Sequence, residues 1–394
     1  MRIERIRVKN FKTLQNIDIE DIPAFCVLVG ANGVGKSSLF DVFGFLRDCL
    51  KDNVRQALAK RGSFKEVVSR GHQDETILIE LKLRAKLSSG HRVVTYLLEI
   101  GNESGSPIVE REILKYTRHG GGQPYRFLDF SRGRGTAITN EEQLQKDTEV
   151  EREDQQLDSP DILAIKGLGQ FQRFEAASAF RSLIENWHVS DFHIQAARGS
   201  QEAGYAEHLS PNGENLPLVT QFLYERHRDS FDQILKTMTY RVPGVSKVEA
   251  TETPDGRIVL RFQDGNFRDP FISRYVSDGT IKMFAYLVLL HDPSPHPLLC
   301  VEEPENQLYP SLLGELAEEF QNYAGRGGQV FVSTHSPDFL NYAPLESVLI
   351  MSKVNGFARI QPASADPNLV ALVEAGDKPG ALWRQRLFEH ADPK

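Results

Sequence analysis

The feature that most constrains this chain is the octapeptide Gly30-Ala31-Asn32-Gly33-Val34-Gly35-Lys36-Ser37 and its position. A continuous apolar run, residues 25–29, precedes it and reads as a buried parallel strand. Leu39, Phe40, Phe43 and Leu46 follow it at helical spacing. The octapeptide fits G-x-x-x-x-G-K-[ST] between a strand and a helix, the context in which that motif cradles phosphate. Its glycines let the backbone wrap an anion closely, and amides at the helix N-terminus point at it. Lys36 would reach the β and γ phosphates of ATP, and the Ser37 hydroxyl would ligate Mg²⁺. Ser38 completes the expected nucleotide site.

The rest of the chain bounds what surrounds this loop. Its 394 residues suffice for two or three domains. With 46 basic and 54 acidic residues the formal charge is −8, so a globally basic nucleic-acid binder is not indicated. Three cysteines, Cys26, Cys49 and Cys300, are odd in number and widely spaced, which suggests small core residues in a reduced, cytoplasmic compartment. The start, MRIERIRVKNFK, has no signal-peptide core. No apolar run approaches the ~20 residues of a membrane span, so no membrane partner is expected.

The hydrophobic period divides the chain. From Thr76 to Phe130 it is two, with turn residues in SSG, GNESGSP and HGGGQP, and predicts an antiparallel meander appended to the core sheet. Residues 136–160 are acidic and polar and read as a flexible loop. Residues 161–240 read as a helical lobe. Pro254-Asp255-Gly256 marks a hairpin. After it, α/β alternation returns, with a helix near 280–290, strands at 298–301, 329–333 and 347–351, and a helix at 312–323. The expected organisation is an α/β P-loop NTPase with a mixed core sheet. Its core is composite, residues 1–135 with 241–365, followed by a tail at 366–394.

Three later segments narrow the chemistry. Leu298-Leu299-Cys300-Val301-Glu302-Glu303 is an apolar strand ending in two acids, the Walker B pattern. Glu302 would serve the Mg²⁺ shell, and Glu303 would act as general base on the attacking water. In Phe331-Val332-Ser333-Thr334-His335-Ser336-Pro337, His335 sits just past a strand, a position that resembles that of the γ-phosphate-sensing switch histidine of ABC-type ATPases. In Val276-Ser277-Asp278-Gly279-Thr280, Ser277 and Gly279 stand at the start of a very apolar helix, a placement that resembles the γ-phosphate-binding signature of ABC-type ATPases. Asp278, a carboxylate in a phosphate-facing segment, is expected to cap its own helix.

Together VKNFKTL, GANGVGKSS, YVSDGTIK, CVEEPENQLYP and VSTHSPDFL make the chain resemble the stand-alone ABC-type ATPases related to the RecF, SMC and OLD proteins. The resemblance implies an ABC-type fold and an ATP-sandwich homodimer. Each nucleotide would lie between one copy's P-loop and the other copy's Ser277–Asp278–Gly279 segment, with residues 304–309 crossing the interface. It also implies a switch subunit acting with a separate nuclease or Toprim-like effector in anti-phage defence. The alternative is a RecF-like repair module, which predicts salt-sensitive DNA binding that strengthens with ATP. No long heptad run supports an SMC-style tether, and no Toprim-type acidic cluster follows Ser347.

Other features have plainer readings. His188 and His193 near Asp191 lack a clean one-face metal spacing. His291, Asp292 and His296 lie in HDPSPHP, which reads as a helix-to-strand connector. Lys9 and Lys12 read as surface lysines. Trp383, Leu387 and Phe388 form a short apolar stripe expected to dock.

Overall fold

The computed structural model describes residues 2–87, 90–117, 124–140 and 150–388. The turns SSG and HGGGQP therefore lie largely outside the described residues, as does much of the acidic loop. The chain divides into two packing units. The first comprises residues 1–187, 345–377 and 385–394; the second comprises residues 188–344 and 378–384. These units cut across the division expected from the motifs, because residues 188–240 pack with the Walker B half.

In the first unit an eight-stranded antiparallel sheet starts with the hairpin Arg2–Phe11 and Leu14–Ile19. The strand Ile77–Leu87 pairs with the first strand, Ile6 opposite Leu81 and Val8 opposite Ile79. From there the sheet runs through Gly90–Glu103, Ser106–Tyr116 and Tyr125–Ser131. Alternating apolar residues bury one face, as a period of two requires. The meander therefore extends the N-terminal hairpin, not the sheet of the P-loop strand. Alternation identifies a strand's buried face but not its neighbour. Two further strands, Arg134–Ile138 and Arg152–Gln156, close the series. The second corrects the expectation of loop throughout 136–160. Its side chains, REDQQ, are mostly exposed; backbone pairing holds this edge, helped by Arg152 donating to the Arg126 carbonyl at 2.9 Å and by the Arg173–Glu153 ion pair.

The P-loop strand Phe25–Val29 is wholly buried and pairs in parallel with Val348–Val354, Val27 opposite Val348. The latter pairs antiparallel with Phe357–Pro362, a strand not expected from sequence. The helix Lys36–Lys51 packs through Phe43, whose ring meets Trp187 edge-on at 5.4 Å, and Phe45, near Phe11 at 5.6 Å. Lys12 is not simply solvated: its ammonium lies 2.6 Å from Asp41 on this helix.

One buried acid in this unit carries a pH dependence. Glu112 is fully buried and accepts from the Tyr96 hydroxyl at 3.0 Å, from Ile165 N at 3.0 Å and from Ala164 N. Burial pushes its carboxyl up from 4.5 to about 7, against the pull of those donors. The native state therefore holds a proton that the unfolded chain has released. That stability is fully present below about pH 4.5 and is lost as pH rises through 7. Glu112→Gln is expected to remove about 3 kcal/mol of this decline, read as a flatter unfolding midpoint between pH 5 and 8. An unchanged pH slope would count against the assignment.

The second unit holds a parallel set, His188–Ser190 beside Leu298–Glu302 beside Gln329–Thr334. The helices Asp278–Leu290 and Ser311–Gly325 flank it, and a small antiparallel sheet pairs Val245–Glu252 with Arg257–Asp264. The expected helical lobe is thus interrupted by the strands His188–Ser190 and Gln201–Glu202. Cys26, Cys49 and Cys300 are all buried, and burial pushes the Cys26 and Cys49 thiols up. Near the C-terminus Leu382 and Phe388 are buried, whereas Leu387 is exposed, so the apolar stripe docks through a different set of residues. Among the described residues no helix is long and apolar enough to cross a membrane.

Candidate functional site

The P-loop is built where strand order ends. Gly35 sits at the head of the helix Lys36–Lys51 with φ 113°, a left-handed conformation that side chains resist. A Cβ there would stand 2.5 Å from Thr13 Oγ1. At Gly30 a Cβ would stand 2.3 Å from the Met351 carbonyl oxygen. Both glycines are therefore demanded by close approach. Thr13 also donates to Ser38 Oγ at 3.2 Å, so the VKNFKTL turn packs directly on this loop. The Lys36 ammonium is buried and donates to the carbonyls of Gly30 at 2.8 Å and Ala31 at 3.0 Å. It is thus curled over the concave side of its own loop, where a phosphate would offer stronger acceptors. Asn32 and Gly33 are exposed, Val34 is buried and Ser37 is exposed at the helix start. The loop thus sets a helix N-terminus beside a buried ammonium, a setting that favours an anion.

In the second unit the strand Leu298–Glu302 is buried until its last residue, so the two acids emerge at its C-terminal end. Glu303 adopts φ 42° while its amide still donates to the Ser333 carbonyl at 2.9 Å. Glu303 Oε1 lies 2.9 Å from His335 Nε2, and Glu303 Oε2 accepts from Asn306 Nδ2 at 2.9 Å. The expected base and the expected sensor are thus in direct contact.

Two residues that sequence reading missed hold this pair. Glu305 Oε1 accepts from Thr334 Oγ1 and the His335 amide, both at 2.7 Å, and from the Ser336 amide at 3.2 Å. One carboxylate oxygen thus fixes the backbone that presents His335. Lys282, one turn into the helix that begins at Asp278, donates to the Asn306 carbonyl at 2.7 Å. Burial pushes its ammonium down to about 8, while Glu305 and Glu303 pull it back up. The only available sequence signals were an extra acid in EEPE and a lysine inside an otherwise apolar helix face.

Glu305→Ala is expected to lower turnover by up to about 100-fold with little change in KM, because His335 loses its fixed position. Glu305→Gln keeps one acceptor oxygen and should recover most of that loss. Equal damage from both, in steady-state phosphate release, would refute this positioning role.

The Ser277 segment differs from expectation in one respect. Ser277, not Asp278, is the helix cap: its Oγ accepts from Thr280 N at 3.2 Å and shares a hydrogen bond with Thr280 Oγ1 at 2.7 Å. Asp278 is the first helical residue and pairs with Arg198 at 2.5 Å. The cap position was already filled by a hydroxyl, and the guanidinium neutralises the carboxylate. Ser277 is exposed, and a Cβ on Gly279 would stand 3.0 Å from the Gln307 carbonyl oxygen. The signature turn therefore lies against the loop that follows Glu303.

Residues 25–341 match the model of the family described as "AAA domain, putative AbiEii toxin, Type IV TA system". The fold is similar to a Smc head bound to the C-terminal winged-helix domain of ScpA. The TM-score is 0.55 at 13% identity over 92% of this chain and 98% of that one. It is also similar to a Smc head with an extended coiled coil bound to the C-terminal domain of ScpA, derived from Pyrococcus furiosus. There the TM-score is 0.56 at 12% identity, over 95% and 100% of the two chains. At such identity the likeness concerns fold, and it is the fold of an ABC-type P-loop ATPase head. With the family model covering most of its length, the chain belongs to this AAA-domain family.

Proposed function

We propose that the chain hydrolyses ATP with Mg²⁺ as an ATP-sandwich dimer, and that closing and opening of the dimer signals to a separate nuclease or Toprim-like effector in anti-phage defence. The contact of Glu303 with His335 at 2.9 Å is the observation that carries the hydrolytic reading. A carboxylate that accepts from the Asn306 amide and lies beside an imidazole is oriented to take a proton from water.

In this reading Gly30, Ala31, Asn32, Gly33, Val34 and Gly35 wrap the phosphates, and Lys36 swings from its loop carbonyls to the β and γ oxygens. The hydroxyls of Ser37 and Ser38 lie at the helix start, Ser37 on Mg²⁺ with Glu302 serving its hydration shell. Mg²⁺ supplies charge compensation on the phosphates. Glu303 accepts the proton of the attacking water, and His335 donates toward the γ-phosphate. Family membership and motif order support this division of labour.

The dimer reading rests on Ser277. Its oxygen already accepts from its own helix, so its proton can turn outward, and the free amides behind it favour an anion. Asp278 is kept from repelling that anion by Arg198. Gln307 and Tyr309 are exposed in the loop that would cross to the partner copy.

Mixing tests the arrangement. Lys36→Ala and Ser277→Ala should each be inactive alone. Mixed equally, half the dimers carry one intact composite site, so about a quarter of the parental rate should return. A mixture no faster than its two components would remove the trans role of Ser277. The effector is tested separately, by ATP-dependent capture of a nuclease or Toprim-like protein; DNA binding strengthened by ATP without such capture would favour the repair reading.

A further inference from the structure

We propose that His208, Asp292 and His296 form a binding site for one divalent transition-metal ion of the zinc class, which clamps the segment around His208 to the connector that feeds the Walker B strand. Among the described residues these are the one trio of potential ligands whose donor atoms, one from each, lie within 4.8 Å of one another. Two of the three come from HDPSPHP, the loop read from sequence as a plain connector, and the third arrives from 84 residues upstream.

The site is built and largely enclosed. The side chain of Asp292 is only 5% exposed, and His296 is buried. His208 Nδ1 stands 2.7 Å from Asp292 Oδ2. The second carboxylate oxygen accepts from the Ser294 amide at 2.8 Å, which sets the carboxylate plane. The His296 carbonyl accepts from the buried Tyr323 hydroxyl at 2.6 Å, and the His208 carbonyl from Asn215 Nδ2 at 2.9 Å. The Asp292 carboxylate and the backbone of both histidines are therefore each held by a partner. The ring of His188 lies 5.0 Å from that of His296, and the ring of His208 lies 5.1 Å from it.

A plain His–Asp hydrogen bond accounts for His208 and Asp292 but gives no reason for a third donor beside them. Two imidazole nitrogens and one carboxylate oxygen suit zinc, with a fourth position for water. The cluster sits at the start of the strand Leu298–Glu302, roughly 13 Å along it from the acids. The ion is therefore structural, and its effect does not depend on the nucleotide chemistry proposed above.

The full chain is stripped with a chelator and, without nucleotide or Mg²⁺, titrated with Zn²⁺ against a chromophoric competitor. One equivalent is expected to bind, and Zn²⁺ should raise the thermal unfolding midpoint. His208→Ala and Asp292→Asn should each weaken binding more than about 100-fold, beyond what loss of a supporting residue causes. They should also abolish the thermal shift. Lys36→Ala should bind Zn²⁺ like the parent, separating this site from the nucleotide. X-ray absorption of the loaded parent should show nitrogen and oxygen neighbours with imidazole scattering, a readout that needs no variant to fold. Less than one equivalent bound by the parent, parental affinity in the two variants, or a sulfur-containing shell would each overturn the proposal.

Discussion

Replacing Glu303 by Gln is expected to leave ATP binding intact and to lower turnover by about 10²–10⁴-fold, the span of a lost general base. The substitution keeps the side chain's shape. It also keeps an oxygen for Asn306 Nδ2, which now donates to Glu303 Oε2 at 2.9 Å. What it removes is the basic oxygen 2.9 Å from His335. Because φ at Glu303 is set by the chain between Ser333 and Asn306, the backbone should hold its position. The variant should therefore accumulate in the ATP-bound state, and if the dimer reading holds, as a closed dimer at high ATP. Single-turnover phosphate release, with nucleotide affinity measured in parallel, checks both halves. Hydrolysis at the parental rate would move the base to another residue, and lost ATP binding would show that Glu303 acts in structure.

The comparison of Glu303 with Glu305 shows what the sequence could disclose. Walker A and Walker B were legible because each is one contiguous stretch whose chemistry follows from local order, a buried strand delivering its last residues to solvent. Glu305 was not legible, because its partners lie 29–31 residues later, and two of the three are backbone amides that any sequence supplies. Asp278 failed for a related reason. Local propensity favours aspartate as a cap, but Ser277 precedes it and Arg198, 80 residues upstream, claims its carboxylate. The strand Arg152–Gln156 has no apolar alternation, so its pairing with Arg134–Ile138 had no periodic signal. His208 likewise has no local link to Asp292 and His296. Contiguous motifs could be read from the chain alone; contacts between distant segments needed the fold.

Lys36→Ala is expected to weaken ATP binding by about 100-fold, the loss of a charge-assisted grip on phosphate worth roughly 3 kcal/mol. The Lys36 ammonium now rests on the carbonyls of Gly30 and Ala31. Those are neutral acceptors, so transfer to a phosphate oxygen strengthens each bond rather than merely replacing it. The loss should therefore grade with the ligand: largest for ATP, smaller for ADP, and near zero for AMP, which has no β or γ phosphate. A general collapse of the loop would weaken all three alike. Without ligand, the variant leaves two loop carbonyls short of a donor. Its unfolding midpoint should therefore fall only slightly, since each such hydrogen bond contributes about 1 kcal/mol. Calorimetric titration across the three nucleotides separates these cases. Equal losses would mean that Lys36 shapes the loop, whereas a graded series would place its charge at the outer phosphates, where the bond to be broken lies.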